Sequence, residues 1–167
     1  MAQPARAVVA LGSNLPGVQG SPVDLLEAAL SLLSEAGLPV LRRSSWWMSS
    51  AWPDPSRNEY RNGVAIVEAT MTPDAAIRRL LEIEVRLGRR RGSPNADRTL
   101  DLDLIDHTGC VIETADLVLP HPRAHERYFV MGPLAEIAPD WRHPTLGLTA
   151  SDLAARAAVG RDARPAP

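Results

Sequence analysis

Lysine is absent from the sequence: all 18 basic residues are arginine. That excludes a P-loop lysine, a Schiff-base lysine and any other lysine catalysis. Phosphate, if it is bound, must be held by arginine, histidine, backbone N–H groups or metal. Arginine suits the task because it stays charged and offers a planar bidentate fork. Cysteine occurs once, as Cys110, so no internal disulfide can form and a cytoplasmic location is expected. No apolar run reaches the roughly 18 residues of a membrane span, and Met1 to Leu11 has no long apolar leader. Charge of either sign is not in large excess. The net charge is -2, so no global basic field advertises nucleic acid. A hydrophobic share of 45% over 167 residues is enough for a proper core. One domain over residues 1–160 is expected, followed by a disordered Arg-, Ala- and Pro-rich tail at 161–167.

What is present converges on Arg98-Thr99-Leu100-Asp101-Leu102-Asp103-Leu104-Ile105. Strand side chains alternate faces, so Leu100, Leu102 and Leu104 share one face, and Asp101 and Asp103 the other. The two carboxylates would lie roughly 6–7 Å apart, at about 3.3 Å per residue. That separation suits hard cations bridged to phosphate oxygens. Arg89, Arg90 and Arg91 lie just upstream with Arg98. A carboxylate pair beside arginines is what a metal–nucleotide complex needs. The same residues also fit a half-exposed strand with solvated aspartates paired to arginines.

The remaining elements follow from caps and periodicity. Ala5 to Leu11 reads as a buried strand, followed by a Gly12–Gly17 loop. Ser21-Pro22 opens a helix that Gly37 stops, and Thr72-Pro73 opens another that Gly88 stops. Leu38 to Met48 reads as a strand. Two prolines in the following segment, through Ser56, make it a long loop around Trp52. Tyr60 to Glu68 is a further strand, with Tyr60 and Asn62 on one face. A ring and an amide suit a flat heterocycle, and equally a strand edge. Glu84 stands near a helix C-terminus, where the dipole disfavours an anion. Arg86, Arg89 or a ligand group could balance it. Residues 89–97 read as a basic loop, either a lid over phosphates or a solvated turn. His121, held between Pro120 and Pro122, could donate to phosphate or act as an acid. A short helix is predicted through Ile137, and a terminal one from Ser151 to Val159 with Ser151 as its cap. The order strand, helix, strand, strand, helix, strand predicts an α+β fold: a ferredoxin-like βαββαβ core with an antiparallel sheet and additional C-terminal helices.

Several stretches together resemble the 6-hydroxymethyl-7,8-dihydropterin pyrophosphokinase family of folate biosynthesis. They are Ala-Leu-Gly-Ser-Asn (10–14), Tyr60-x-Asn62, Gly88-Arg89-x-Arg91, Arg98-Thr99-Leu100-Asp101-Leu102-Asp103, Leu119-Pro120-His121-Pro122-Arg123, His125-Glu126-Arg127 and Pro133-Leu134-x-Glu136-Ile137-Ala138-Pro139. The resemblance covers roughly residues 5–140. It implies transfer of a pyrophosphoryl group from ATP to the pterin hydroxymethyl oxygen, with AMP leaving. It implies two Mg ions at Asp101 and Asp103, and catalytic Arg89 and Arg98. It implies ATP contacts from Glu84, Arg91, Leu104, His121 and Arg127. The pterin would lie between Tyr60 and Phe129, with Asn62, Ser49, Ser50 and Trp52 completing its pocket. Small-molecule partners, no nucleic acid or membrane, and a monomer are expected. The sequence departs from the family in the lid, where Pro94-Asn95-Ala96-Asp97-Arg98 replaces Arg-Trp-Gly-Pro-Arg. It departs again at Ser49-Ser50-Ala51-Trp52, where a Thr-Pro-Pro-like run is common, and at Pro122, where some members have Tyr. A nucleic-acid-binding module and a metal-dependent phosphohydrolase are the rival readings. The paired aspartates weigh against the first and permit the second.

Overall fold

The computed structural model of the chain describes residues 3–14, 20–51, 54, 58–88 and 100–167. Its strands are β1 (Arg6–Ser13), β2 (Val40–Arg43), β3 (Trp47–Ser49), β4 (Tyr60–Glu68), β5 (Asp101–His107), β6 (Ile112–Glu113), β7 (Val118–Leu119) and β8 (Arg164–Pro165). Its helices are α1 (Pro22–Glu35), α2 (Pro73–Arg86), α3 (Tyr128–Ile137) and α4 (Ala150–Arg156), with a 3-10 turn at Ala124–Glu126. The main sheet runs β5-β1-β4-β3-β8, and β2 also pairs with β4. Every pairing in it is antiparallel. With β2 and β3 counted as one broken strand, this is the expected βαββαβ core.

The alternation of strand side chains sorts the sheet into two faces. Ala7, Val9 and Leu11 of β1 point with Leu102 and Leu104 of β5 into a core roofed by α1 and α2. Val8 and Ala10 of β1, with Val64 of β4, point the other way, toward α3 and α4. Helix α1 starts on a capping box: the Ser21 hydroxyl accepts from Asp24 N, and the Asp24 carboxylate accepts from Ser21 N. The Thr72 hydroxyl caps α2 by accepting from Ala75 N at 3.3 Å. Among the described residues no helix is long and apolar enough to cross a membrane.

Four details differ from the sequence reading. Strand β1 runs on through Ser13, so Gly12 belongs to the sheet and not to a loop. The expected Leu38–Met48 strand is broken in two. Between Arg43 and Trp47 the chain holds one more residue than β4 opposite it, which is a bulge. Ser44 occupies the break: its hydroxyl accepts from Val64 N at 2.9 Å, taking a bond that a strand carbonyl would otherwise receive. The cap of α4 is Thr149 rather than Ser151, because Thr149 and Asp152 form the reciprocal capping box. Finally, residues 161–167 are ordered against the sheet. Arg164–Pro165 pairs with Trp47 and Met48 of β3. Composition missed this because the strand exists only where an open sheet edge receives it.

The bulge turns Trp47 onto the α3 face, where its ring lies over Gly132. A Cβ at Gly132 would come within 2.7 Å of that ring. The Trp47 indole N–H also bonds Glu136 of α3 at 3.2 Å, which restrains the ring. Gly132→Ala is therefore expected to lose about 1–3 kcal/mol by overpacking, although alanine is the better helix former by about 1 kcal/mol. Urea unfolding checks this, and an unchanged or raised midpoint would mean that the ring can move aside.

Candidate active site

Two clefts share the same pair of aspartates. The first, about 480 Å³, is lined by Gly12, Ser49, Ser50, Tyr60, Asn62, Asp101, Asp103, His121, Arg123, Glu126, Arg127, Phe129 and Val159, among others. The second, about 350 Å³, is lined by Ile77, Leu80, Leu81, Glu84, Asp101, Leu102, Asp103, Leu104, Asp116, Leu117, Val118, His121 and Pro122. Both volumes lie within the range of small-ligand sites. Asp101, Asp103 and His121 are common to both walls.

The aspartates reach the cleft because β5 keeps its period. Asp101 stands opposite Gly12 and Asp103 opposite Ala10, while Leu102 and Leu104 pair with Leu11 and Val9 on the buried face. Buried Glu84 steadies the strand between the two carboxylates, where its carboxylate accepts from Leu102 N at 2.9 Å. The sequence left Arg86, Arg89 or a ligand to balance the Glu84 charge. A backbone N–H of the aspartate strand also serves it.

At the other end of the first cleft, β3 and β4 present Ser49, Tyr60 and Asn62. Ser49 pairs with Tyr60 and Trp47 with Asn62. The buried Asn62 amide donates to the Ser49 hydroxyl at 2.8 Å, which fixes its orientation and turns its carbonyl oxygen to other donors. Gly12 of β1 lies beside this pair at ordinary contact distance. A Cβ there would sit 3.4 Å from Asn62 Oδ1 and 3.9 Å from the Tyr60 ring. Phe129 closes the cleft from the first turn of α3.

His121 is held by three bonds. Its N–H donates to Ile105 O at 2.9 Å. Its Nδ1 accepts from Arg123 N and Ala124 N, both at 3.1 Å. With Nδ1 occupied as an acceptor, the neutral ring carries its proton on Nε2, where it can donate. Burial lowers the His121 pKa to about 4; the Arg127, Arg123 and His125 charges push the same way and Asp101 opposes them. The Leu119–Pro120 bond that leads into it is cis.

Of the residues singled out in the sequence, Ser49, Ser50, Tyr60, Asn62, Asp101, Asp103, His121, Arg127 and Phe129 come together in the first cleft, and Glu84 and Leu104 in the second. Trp52, Arg89, Arg91 and Arg98 lie outside the described residues. Sequence reasoning gave no role to Arg123, Glu126, Asp116 or Val159. Arg123 and Glu126 stood inside quoted motifs and could have been found there. Val159 carries no local signal.

The His121 arrangement fixes the sign of a titration. A folded-state pKa below the ordinary 6.5 means that the unfolded chain takes up the proton first. The associated stability is complete above about pH 6.5 and is lost as pH falls toward 4. NMR of the ligand-free protein is expected to show the His121 ring protonating near pH 4, and a midpoint at or above 6.5 would contradict the bonding at Nδ1.

Comparison with known proteins identifies the family of the chain. The family model of 7,8-dihydro-6-hydroxymethylpterin-pyrophosphokinase matches residues 8–139. A 2-amino-4-hydroxy-6-hydroxymethyldihydropteridine pyrophosphokinase of Synechocystis is 42% identical over 144 residues, covering 86% of this chain and 71% of the relative. The protein of the same name from Methylorubrum extorquens is 35% identical, covering 81% and 84%. Among solved structures, Plasmodium falciparum HPPK-DHPS superposes with a TM-score of 0.72 at 14% identity. That match covers 92% of this chain and 44% of the other, and it speaks for the fold alone. With the matched model spanning most of its length, this chain belongs to the 7,8-dihydro-6-hydroxymethylpterin-pyrophosphokinase family.

Proposed function

We propose that this chain transfers the pyrophosphoryl group of ATP to the hydroxymethyl oxygen of 6-hydroxymethyl-7,8-dihydropterin and releases AMP, a step of folate biosynthesis. The observation that carries the reading is the pair of clefts sharing one wall of Asp101, Asp103 and His121. A transfer between two small molecules needs two sites meeting at the reacting phosphorus, and a hydrolase needs only one.

The pterin belongs in the first cleft. Tyr60 and Phe129 offer ring faces for it, and the Asn62 carbonyl oxygen can accept from its edge. Ser49 and Ser50 complete this pocket, and the family resemblance assigns Trp52 to it as well. ATP belongs in the second, where Glu84, Leu104 and His121 stand, and its phosphates reach back to Arg127.

The donor set at the shared wall fits Mg²⁺. Two carboxylates on one strand face are what Mg²⁺ takes from a protein when phosphate oxygens and water fill its remaining positions. Among the described residues no third acidic, histidine or cysteine side chain joins them in a closed metal cage. Asp101 and Asp103 would hold two such ions, which when bound neutralise the triphosphate and acidify the attacking hydroxyl. The chain's own contribution is positioning and charge. His121 donates an Nε2–H hydrogen bond to a phosphate oxygen, and arginine supplies positive charge. Arg127 adds a fixed cation beside Phe129, its guanidinium carbon 5.9 Å from the ring centroid. By the family resemblance, Arg89, Arg91 and Arg98 would bring further bidentate donors to the transferred group, with Arg89 and Arg98 in the catalytic role.

Incubation with ATP, Mg²⁺ and hydroxymethyl-dihydropterin is expected to yield AMP and the pterin pyrophosphate, and ADP as the product would sink the reading. Asp101→Ala and Asp103→Ala should each cost at least about 100-fold in turnover, the upper end of what even outer-shell changes at metal sites cost. Retained activity in either would end the two-ion assignment. Tyr60→Ala should raise the pterin KM about tenfold, as loss of an aromatic stacking face does, and leave the ATP KM unchanged. An effect confined to ATP would remove Tyr60 from the pterin site.

A further inference from the structure

The last turn of the chain touches both walls of the first cleft. After α4, Val159 lies beside Arg127 as a parallel bridge, donating to Glu126 O at 3.0 Å and accepting from Tyr128 N at 2.8 Å. Gly160, at φ 72°, lies directly against the Phe129 ring, where a Cβ would come within 2.5 Å. Arg161 stacks over the Tyr128 ring at 4.2 Å and donates to Ala154 O at 2.7 Å. The chain then crosses to the opposite wall. The Asp162 carboxylate accepts from Ser50 N at 2.7 Å. Arg164–Pro165 pairs with β3, and Ala166 N donates to Trp46 O at 2.9 Å.

Helix α3 already meets β3 through Trp47, which packs on Gly132 and bonds Glu136; these further bonds reach the rim of the cleft just past the end of β3. Phe129 and Arg127 stand at the start of α3, while Ser49 and Ser50 leave the end of β3. Ser50 has left the β3–β4 ladder, whose last pair is Ser49 with Tyr60. Its amide is held instead by Asp162. No residue from 157 onward lines the second cleft, whereas Val159 lines the first.

We propose that residues 159–166 form a strap that sets the width of the pterin cleft, with Asp162 as a positioning residue that holds the Ser50 backbone at its rim. The proposal rests on the reading of the first cleft as the pterin site. The strap acts through Ser50 and Phe129 and touches no reacting atom. Its effect falls on pterin affinity and leaves the nucleotide alone.

The test compares the full chain with Asp162→Ala, Asp162→Asn and a truncation after Asp162 that removes β8. Pterin binding is measured calorimetrically with Mg²⁺ and a non-hydrolysable ATP analogue, alongside KM for each substrate and hydrogen exchange at the Ser50 amide. Asp162→Ala should weaken pterin binding about 5–10-fold, the scale of one ordinary hydrogen bond, with faster Ser50 exchange and an unchanged ATP KM. Asp162→Asn keeps an acceptor oxygen and should restore most of the affinity. The truncation should repeat the pterin-selective loss. Equal loss for both substrates, or no rescue by Asn, would reduce Asp162 to general stability and overturn the proposal. Pterin binding identical in wild type and Asp162→Ala sinks the strap alone. A wild-type chain that binds no pterin sinks the cleft assignment and the strap's role with it.

Discussion

The two-residue period of β5 is the constraint on which the site depends. Leu102 and Leu104 are drawn into the core against α1 and α2 by burial of their apolar area, worth about 1.5–3 kcal/mol for a fully buried leucine. Once they point inward, Asp101 and Asp103 have no choice but to point outward together. A slip of one residue against β1 would bury both carboxylates and expose both leucines, and each change is costly. The chemistry is therefore registered by the hydrophobic effect acting on its neighbours. Glu84 adds a second lock, since its bond to Leu102 N fixes the residue between the aspartates.

The opposite end of the cleft is organised by an irregularity. The bulge between Arg43 and Trp47, with the Ser44 hydroxyl satisfying Val64 N, resets the pairing so that Trp47 faces α3 and Ser49 meets Asn62. Glu136 ties this turn to α3 by accepting from Ser45 N at 2.6 Å and from the Trp47 indole. Bonds from both Ser45 and Trp47 hold its pKa low although partial burial pushes it up, so the carboxylate stays ionised as an acceptor. Regular pairing positions the metal-facing end, and an interrupted strand positions the pterin-facing end.

Legibility in the sequence followed the range of the interaction. Capping at Ser21 and Thr72, the alternation in residues 100–105 and the strand at Tyr60–Glu68 are local patterns, each read from neighbours a few residues apart. The strand break at Ser44, the cap at Thr149 and the strand at Arg164–Pro165 are set by partners distant in sequence or by a competing hydroxyl nearby. The C-terminal tail departs furthest from the sequence expectation. Its composition resembles a solvated terminus, and its order comes from an open sheet edge and from the Ser50 amide.

By itself the sequence determined which residue types stand where. The carboxylate pair, the lysine-free phosphate chemistry and the flat-ring candidates Tyr60 and Phe129 were all visible as types and spacings. Only the tertiary structure decided that these residues face two clefts across one wall, that His121 keeps Nδ1 as an acceptor, and that the end of the chain braces the cleft they form. The reason is physical. Side-chain periodicity is a property of the backbone and can be read along the chain, whereas a shared wall, a tautomer and a strap each depend on groups that meet only after folding.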